Sequence, residues 1–259
     1  MKVPRNILIT GASSGIGAGL ARHYAAPGIG LALTGRNPDR LADVAAACRA
    51  AGADVLAQPV DVTDTRAMEK FFSAAENRWP LDLVFANAGV APSTSYQSEP
   101  AAVSRQIIDV NVGGVLNTIY PAREVMAPRK RGQIAIMSSL AAYVPTPNVP
   151  AYGASKAAVK SLGLALRAEA AADGIGLTVI CPGFVHSRIT KALSRAPLIM
   201  PTDRAARLIA KRLKRDPAII TFPFLFSMLV RVIGALPDPL ATALMALTSR
   251  QANRKSKAR

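Results

Sequence analysis

The chain has 259 residues, and its 32 lysines and arginines outnumber 16 aspartates and glutamates, which gives a formal net charge of +16. A chain of this length forms one large α/β domain or two small ones, and a hydrophobic content of 50 % argues against global disorder. Two cysteines and two histidines exclude a disulfide framework and a metal centre rich in these residues. We therefore expect a reducing compartment, either the cytoplasm or the cytoplasmic face of a membrane.

The positive charge is concentrated toward the C-terminus. Residues 1–186 contain 17 basic and 13 acidic residues, a net charge of +4, whereas residues 187–259 contain 15 and 3, a net charge of +12. We expect no nucleic-acid partner, because the basic segment has neither a recognition motif nor interleaved aromatic residues. Solubility, attraction to anionic lipid and attraction to an acidic protein stay open as explanations of the charge.

Short apolar runs rich in β-branched residues alternate with stretches of helical periodicity along most of the chain. Continuous hydrophobicity in such runs is typical of buried parallel strands. Strands are predicted over residues 7–10, 30–34, 54–60, 81–86, 132–137, 176–180 and 218–221. Helices are predicted ending near residue 26 and over 38–51, 64–78, 99–126, 151–172 and 202–215, with Asp64 and Thr202 as N-caps.

This alternation predicts an α/β fold: a single doubly wound Rossmann domain with a seven-stranded parallel sheet and a C-terminal helical extension. The domain is expected to span residues 1–222. Residues 223–259 are expected to form apolar helices that end in a basic tail, and Leu240, Leu244 and Leu247 share one helical stripe.

The turn after the first strand is rich in glycine. Such a turn, between a strand and a helix, lets backbone N–H groups approach a pyrophosphate at the helix N-terminus. A plain tight turn of small residues is the alternative, but the position directly after the first strand favours a dinucleotide. The expected binding residues are Gly11, Ser13, Ser14, Gly15, Ile16 and Gly17.

Tyr152 and Lys156 are four residues apart at the start of a predicted helix, so they share one helix face. A nearby ammonium favours the phenolate and lowers the tyrosine pKa, which suits a general acid for carbonyl reduction or a base for alcohol oxidation. Ser139 ends a strand 13 residues before Tyr152, where α/β sheets bind ligands, and its hydroxyl is suited to polarising a carbonyl. Ser138 is the alternative, and an exposed tyrosine with a surface lysine is the non-catalytic explanation of the pair.

The choice of cofactor is expressed at the end of the second strand. In NAD-binding proteins an acidic residue at this position binds the adenosine ribose 2′-hydroxyl, and this chain has no acidic residue there. Arg36 offers instead a cation for a 2′-phosphate. The sequence therefore predicts NADP (NADPH) as the cofactor, against the alternative of a solvated arginine at the start of the next helix.

With Asn87, Asn111 and Pro182 at matching positions, these motifs resemble the short-chain dehydrogenase/reductase family, in the branch of about 250 residues with TGxxxGIG and YxxxK motifs. The resemblance covers roughly residues 5–187. It implies hydride transfer by a nicotinamide cofactor, with Asn111 perturbing its helix and holding a water that relays protons to Lys156. The implied catalytic residues are Asn111, Ser139, Tyr152 and Lys156.

The resemblance implies further cofactor contacts on the loops after the strands. Tyr152 and Lys156 would contact the nicotinamide end, where Lys156 bonds the ribose. His186 receives no catalytic role, because a histidine in a loop is more often structural or solvated. The remaining contacts are Asp61, Val62, Asn87, Ala88, Gly89, Pro182, Gly183, Val185 and Ser187, the last standing where the family usually has threonine.

Residues 188–215 would contain the family's variable substrate lid and a basic helix. Apolar lid residues, such as Ile189 and Leu193, suggest a hydrophobic ketone, aldehyde or secondary alcohol of steroid-, lipid- or acyl-like character. A 3-oxoacyl-carrier-protein reductase is one alternative. A non-catalytic dinucleotide sensor is another alternative. Loss of Tyr152 or Lys156 would indicate such a sensor, and both residues are present.

The extension after residue 222 departs from the family. It either packs over the substrate cleft or on a partner subunit, makes a peripheral contact with an anionic membrane, or docks an acidic carrier protein. The family resemblance also implies a homo-oligomer, dimer or tetramer, for which the small residues Ala154, Ala157, Ala158 and Ser161 offer a contact face.

Overall fold

The computed structural model describes residues 4–92, 99–147, 149–186 and 198–257, with side chains described as far as residue 247. One parallel sheet has the strand order β3-β2-β1-β4-β5-β6-β7. Its strands are β1 Asn6–Ile9, β2 Gly30–Thr34, β3 Asp54–Gln58, β4 Leu83–Ala86, β5 Gly132–Met137, β6 Ile175–Pro182 and β7 Ile219–Phe222.

Helices cover both faces of this sheet. One buried apolar cluster joins the sheet to α1, α2 and α7, and a second joins it to α3, α5 and α6. The helices are α1 Gly15–Tyr24, α2 Pro38–Ala50, α3 Thr65–Arg78, α4 Ala101–Ile108, α5 Gly114–Met126, α6 Pro150–Ala172, α7 Thr202–Leu213, α8 Phe224–Gly234 and α9 Asp238–Lys257. The predicted doubly wound fold with seven parallel strands is therefore confirmed.

The ends of the elements differ from the prediction by a few residues. Strand β3 ends at Gln58 rather than at residue 60, and β4 begins at Leu83 rather than at 81. Helix α1 ends at Tyr24, because its C-cap residue Ala25 already has an extended backbone. Strand β6 is longer than predicted and reaches Pro182.

The long helix predicted over residues 99–126 is continuous from Ala101 to Met126 and contains a π-helical turn at Asp109–Gly113, between α4 and α5. One predicted helix cap was wrong. Thr202 is not an N-cap: Pro201 is the cap residue, and the Thr202 hydroxyl donates to the His186 carbonyl oxygen at 2.7 Å. In contrast, Asp64 does cap α3 by accepting from the Ala67 N–H at 3.0 Å.

The strand order reverses at β1, which has β2 on one side and β4 on the other. Parallel doubly wound sheets bind ligands at the carboxyl ends of strands beside such a switch point. The loops after β1 and β4 meet there, so the fold brings the predicted glycine-rich turn to the expected binding edge.

Helix α8 follows the last strand and packs beside it. Val230 of α8 is buried with the apolar cluster that contains α6, and Ser227 is also buried. Helix α9 contributes the buried Ala241. The division of the chain at residue 222 into domain and extension stays a prediction, although β7 ends at Phe222 and α8 begins at Phe224. Within the described ranges, none of the helices combines the length and the apolar character that crossing a membrane requires.

Candidate active site

The glycine-rich turn after β1 and the loop after β4 are joined at the carboxyl edge of the sheet. The Asn87 side-chain amide donates to the backbone oxygens of Thr10 at 2.8 Å and Gly11 at 3.3 Å. The Thr10 hydroxyl oxygen accepts from the N–H groups of Asn87 at 3.0 Å and Ala88 at 3.1 Å. Two of the predicted cofactor segments, the second ending at Gly89, therefore form one unit.

The glycines of the turn let it pack closely on itself and on the loop after β4. Gly11 has a φ of +67°, and a Cβ there would lie 2.8 Å from the Ala88 Cα. A Cβ at Gly17 would overlap the Gly11 carbonyl oxygen. Ser14 caps α1 without a side-chain hydrogen bond, so the first N–H groups of the helix are available to an anion. These features fit a pyrophosphate.

Ser13 connects the glycine-rich turn to the end of β2. A Cβ at Gly35 would lie 2.9 Å from the Ser13 hydroxyl oxygen, so the two backbones are in close contact next to Arg36. Ile16 packs against the apolar cluster beneath the turn and holds α1 on the sheet. Arg36 therefore lies at the outer end of the groove that begins at the turn.

A cavity of about 740 Å³ opens at Arg36. Its other charged lining residues are Asp61, Arg105 and Asp109, so two cations and two carboxylates face the same space. Asp61 binds its own turn, because its Oδ1 accepts from the Thr63 N–H at 3.0 Å and hydroxyl at 2.9 Å. The full lining is Arg36, Asp61, Thr63, Ala102, Arg105, Gln106, Asp109, Val110, Gly113 and Asn117.

The sequence analysis missed several of these cavity residues. Arg105 and Asp109 are four apart and precede Asn111, so their shared helix face was a signal that could have found them. Asn117 is held in place by Val62, whose buried backbone carbonyl oxygen accepts from the Asn117 amide at 2.9 Å. The predicted Asp61 therefore lines this cavity with residues of α4 and α5, and the predicted Val62 bonds to Asn117 of that lining.

The two serines after β5 have different environments. The Ser138 hydroxyl is buried and donates to the Lys156 carbonyl oxygen at 2.7 Å, which ties β5 to α6. Ser139 is the N-cap of the short 3₁₀ turn Leu140–Tyr143, and its Oγ accepts from the Ala141 N–H at 3.1 Å. A hydroxyl that accepts one bond still has its proton to donate. Ser139, rather than Ser138, therefore has a hydroxyl available to a substrate.

Tyr152 and Ser139 lie within hydrogen-bonding reach of each other. Burial raises the pKa of Tyr152, while a hydrogen bond with the Ser139 side chain lowers it. The net direction is upward, which differs from the expected lowering by Lys156. The Lys156 Nζ is 5.8 Å from the centre of the Tyr152 ring and donates to the Met137 carbonyl oxygen at 3.0 Å. Tyr152 is therefore a protonated phenol at neutral pH.

Lys156 is almost fully buried, at 4 % exposure. Its burial lowers its pKa from 10.5 to about 8, and the Cys181 thiol opposes this shift weakly. Among the described residues no carboxylate pairs with it, and a buried ammonium of this kind is an expensive feature that a protein keeps where chemistry requires it. Lys156 is thus poised to change charge close to physiological pH.

Asn111 lies in the π-helical turn, in agreement with the expectation that it perturbs its helix. Its Oδ1 accepts from the Val90 N–H at 2.7 Å, and its amide donates to the Val90 carbonyl oxygen and to Ser155 Oγ, both at 2.9 Å. A Cβ at Gly89 would lie 3.2 Å from both Asn111 Oδ1 and Lys156 Nζ. Asn111 thus fixes the loop after β4 next to the lysine, whereas the predicted water relay stays a prediction.

The loop after β6 lies beside β7 and α8. The Gly183 N–H donates to the Phe222 carbonyl oxygen at 2.7 Å, which continues the sheet past Pro182. Val185 is buried and pairs with Met200 in an isolated parallel bridge. Ser187 and residues 188–197 of the predicted lid lie outside the described residues.

The parts together form a groove along the carboxyl edge of the sheet. One end has Arg36 and the cavity, the middle has the glycine-rich turn, and the other end has Ser139, Tyr152 and Lys156. An arrangement of this kind is suited to an extended dinucleotide, with a phenol and a hydroxyl at one end of it. It defines a Rossmann-fold oxidoreductase that uses a nicotinamide cofactor.

Comparison with known proteins identifies the family. The family model described as short chain dehydrogenase matches residues 5–197. The chain therefore belongs to the short-chain dehydrogenase family, and the resemblance inferred from its motifs is confirmed. An enzyme of this family oxidises or forms a CH–OH group with a nicotinamide cofactor.

Relatives along nearly the whole chain support this assignment. An uncharacterized oxidoreductase of Myxococcus xanthus is 36 % identical over 241 residues, which cover 92 % of this chain and 95 % of the relative. The 11-beta-hydroxysteroid dehydrogenase A of Arachis hypogaea is 37 % identical over 187 residues, which cover 71 % of this chain and 53 % of that protein.

Solved structures have the same fold. A short-chain dehydrogenase from Sphingobium yanoikuyae in complex with NADPH has a TM-score of 0.76 at 25 % identity, covering 98 % of this chain and 96 % of that one. A short chain dehydrogenase/reductase from Burkholderia phymatum in complex with NAD has a TM-score of 0.81 at 24 % identity, covering 89 % and 93 %. The neighbours thus include complexes with both nicotinamide cofactors, and fold likeness leaves the choice between them open.

Proposed function

We propose that the protein is an NADP-dependent oxidoreductase that interconverts a hydrophobic ketone or aldehyde and the corresponding alcohol, of steroid-, lipid- or acyl-like character. One observation carries the proposal: Ser139, Tyr152 and Lys156 converge at the sheet edge beside the glycine-rich turn. We also propose that the enzyme works as a homo-oligomer in the cytoplasm, with the exposed small residues Ala154, Ala158 and Ser161 of α6 as one contact face.

In this mechanism each residue has a separate task. The Ser139 hydroxyl donates to the substrate carbonyl oxygen and polarises it. The Tyr152 phenol, protonated at neutral pH because burial raises its pKa, gives its proton to that oxygen as the alkoxide forms. The Lys156 ammonium favours the resulting phenolate and binds the cofactor ribose. A nicotinamide cofactor, when bound, supplies or accepts the hydride.

The proposed preference for NADP is supported by charge at the outer end of the groove. Arg36 and Arg105 both face the cavity, and guanidinium groups form strong charge-assisted hydrogen bonds with phosphate. Of the two carboxylates that line the cavity, Asp61 already accepts hydrogen bonds from Thr63. The cations therefore remain available for a 2′-phosphate.

The proposed apolar substrate is supported by the aromatic residues beside the loop after β6. Phe184 and Phe226 stack at 5.9 Å between ring centres, next to Gly183. The relative from Arachis hypogaea, named as a hydroxysteroid dehydrogenase, agrees with a substrate of this class. A cleft wall of aromatic side chains favours apolar ligands by desolvation.

Exchange of Tyr152 tests the reaction. The variant Tyr152→Phe should lose roughly 10²- to 10⁴-fold in the rate of NADPH oxidation with the best carbonyl from a panel of apolar ketones, aldehydes and quinones. Its affinity for NADPH should stay unchanged. Tyr143→Phe is the matched control, because Tyr143 is a half-buried tyrosine on the neighbouring 3₁₀ turn. Turnover by Tyr152→Phe at the rate of this control would refute the mechanism.

Exchange of Arg36 tests the cofactor. The variant Arg36→Ala should bind NADPH about tenfold or more weakly, because a charge-assisted bond to phosphate is lost, while NADH binding changes little. Lys70→Ala is the control, because it removes an exposed cation of α3 that does not line the cavity. Equal binding of NADH and NADPH by the unaltered protein, measured by fluorescence titration, would contradict the NADP assignment.

A further inference from the structure

The exposed apolar side chains of the protein are concentrated at its C-terminal end. Among residues whose side chains the structure describes, nine of the thirteen large exposed hydrophobic residues lie between Phe224 and Leu247. Phe224 is 68 % exposed and Leu225 is 77 % exposed. The nine are Phe224, Leu225, Met228, Leu229, Val232, Leu236, Leu240, Leu244 and Leu247. Contiguous exposed apolar surface of this kind marks an interaction site.

Helix α8 directs its larger apolar side chains away from the protein. The side that packs on the core carries Ser227 and Val230, and the Ser227 hydroxyl donates to the Phe224 carbonyl oxygen of its own helix at 2.7 Å. The opposite side carries Leu225, Leu229 and Val232, all of them exposed. A helix with such an apolar outer face normally packs against another apolar surface, either protein or lipid.

Helix α9 repeats this arrangement and adds positive charge. Leu240, Leu244 and Leu247 are exposed along one stripe. Residues 224–257 contain five basic residues and one acidic residue, and four of the five basic residues lie in the last two turns of α9. The basic residues are Arg231, Arg250, Arg254, Lys255 and Lys257.

Charge distinguishes between the possible occupants of this surface. In a symmetric contact between two copies, the same patch meets itself, so two segments that each carry five cations and one anion would repel. An anionic lipid surface offers both an apolar phase and negative headgroups. We propose that α8 and α9 form an interfacial docking surface that lies on an anionic bilayer without crossing it.

This surface adjoins the candidate active site. Near its start, α8 contacts the loop after β6, because the Phe226 ring packs on Phe184 beside Gly183. At its end, α8 contacts the 3₁₀ turn that begins after Ser139: a Cβ at Gly234 would overlap the carbonyl oxygen of Tyr143 in that turn. A docked protein would therefore hold the substrate side of the groove near the membrane. The idea that the enzyme takes an apolar substrate from the bilayer rests on the proposed function. The binding of α8 and α9 to the bilayer does not depend on that function.

The test is co-sedimentation of the full chain with vesicles, which needs no turnover. The protein should pellet with mixed phosphatidylcholine–phosphatidylserine vesicles, and less with phosphatidylcholine alone or at high salt. The variant Leu225→Gln with Leu229→Gln should bind at least about tenfold more weakly. The variant Arg254→Gln with Lys255→Gln should lose roughly fivefold per cation on the anionic vesicles only.

Ile108→Gln with Leu198→Gln is the matched control, because these two residues are 40 % and 62 % exposed and lie outside the extension. Thermal unfolding would verify that all variants are folded. Equal pelleting of the Leu225–Leu229 variant and this control would overturn the proposal. Failure of the wild-type protein to pellet with anionic vesicles would overturn it as well. A smaller oligomer of the Leu225–Leu229 variant in sedimentation velocity, without any vesicle binding by the wild type, would instead make this face a contact between copies.

Discussion

The catalytic core and the C-terminal helices use apolar residues in opposite ways. In the core, the sheet strands are buried between two apolar clusters, and even polar groups such as Asn111 are enclosed and hydrogen-bonded. In α8, α9 and the link between them, nine of the large apolar side chains that the structure describes are exposed, while Ser227 is buried beside Val230. A chain that buries apolar residues so completely in one region exposes them in another only where something else covers them.

The two regions also differ in where they break the usual rules of burial. The core places one ammonium, Lys156, in an almost dry site, whereas the extension places leucines and a phenylalanine in water. Each arrangement lowers the stability of the isolated protein. Natural proteins tolerate such local conflicts mainly at functional sites, so both exceptions indicate function, one catalytic and one of recognition.

The largest effect is expected where the two regions touch. A Cβ at Gly234 would overlap the Tyr143 carbonyl oxygen, and a backbone atom cannot give way cheaply. Gly234→Ala should therefore displace α8 from the 3₁₀ turn after Ser139 and reduce turnover about 10- to 100-fold, since small misplacements at a reacting centre are costly. NADPH binding, which depends on the distant turn after β1, should change little.

The neighbouring Ala235→Ser is the control for Gly234→Ala, because Ala235 is exposed and the added hydroxyl has space. Turnover is measured with the best carbonyl substrate, and NADPH affinity by fluorescence. If Gly234→Ala matched Ala235→Ser in turnover, the contact between α8 and the 3₁₀ turn would not affect catalysis. The C-terminal helices and the catalytic core would then act independently.

An intermediate effect is expected from the buried lysine. Burial lowers the pKa of Lys156 from 10.5 to about 8, so below pH 8 the folded protein carries an unfavourable buried charge. Lys156→Met should raise the free energy of unfolding at pH 7 by up to about 3 kcal/mol while abolishing turnover. This outcome would identify the lysine as a catalytic feature maintained against stability.

The same shift gives a pH dependence with a definite sign. Between pH 8 and 10.5 the folded lysine has lost its proton while the unfolded lysine keeps it, so unfolding takes up a proton and stability rises with pH. The wild type should show this rise in urea titrations at increasing pH, and Lys156→Met should lack it. Parallel pH profiles of the two proteins would show that the ammonium is not desolvated in solution.

The sequence predicted the fold and the local structure of the core well because that information is local. Gly11 and Gly17 mark a turn, Tyr152 and Lys156 share a helix face by spacing, and apolar runs mark buried strands. Features that depend on packing between distant segments were not predictable in this way. Arg105 and Asp61 line the same cavity although 44 residues separate them, and their spacing in the sequence does not show that α4 and the loop after β3 meet there.

The extension illustrates the same limit more clearly. Its apolar stripes were visible in the sequence, but a stripe does not say whether it faces the core or the solvent. The contacts of Ser227 and Val230 decide this for α8, because small inward side chains let the helix lie close to the 3₁₀ turn. The result is that the longer side chains face outward, which composition alone does not determine.

The smallest effect is expected at the contact between α1 and the basic helix α7, on the opposite face of the sheet from α8. Burial lowers the pKa of His23, and the charges of Arg207 and Lys214 on and after α7 lower it further. Below pH 6.5 the unfolded histidine takes up a proton that the folded one resists, so stability falls as the pH decreases.

His23→Gln should remove this acid dependence and change stability at pH 8 by no more than a few tenths of a kcal/mol, since the group is largely solvated. Thermal unfolding midpoints at pH 5.5 and 8 measure it. An unchanged acid dependence in His23→Gln would mean that neither burial nor the cations on and after α7 lower the pKa of His23 in solution.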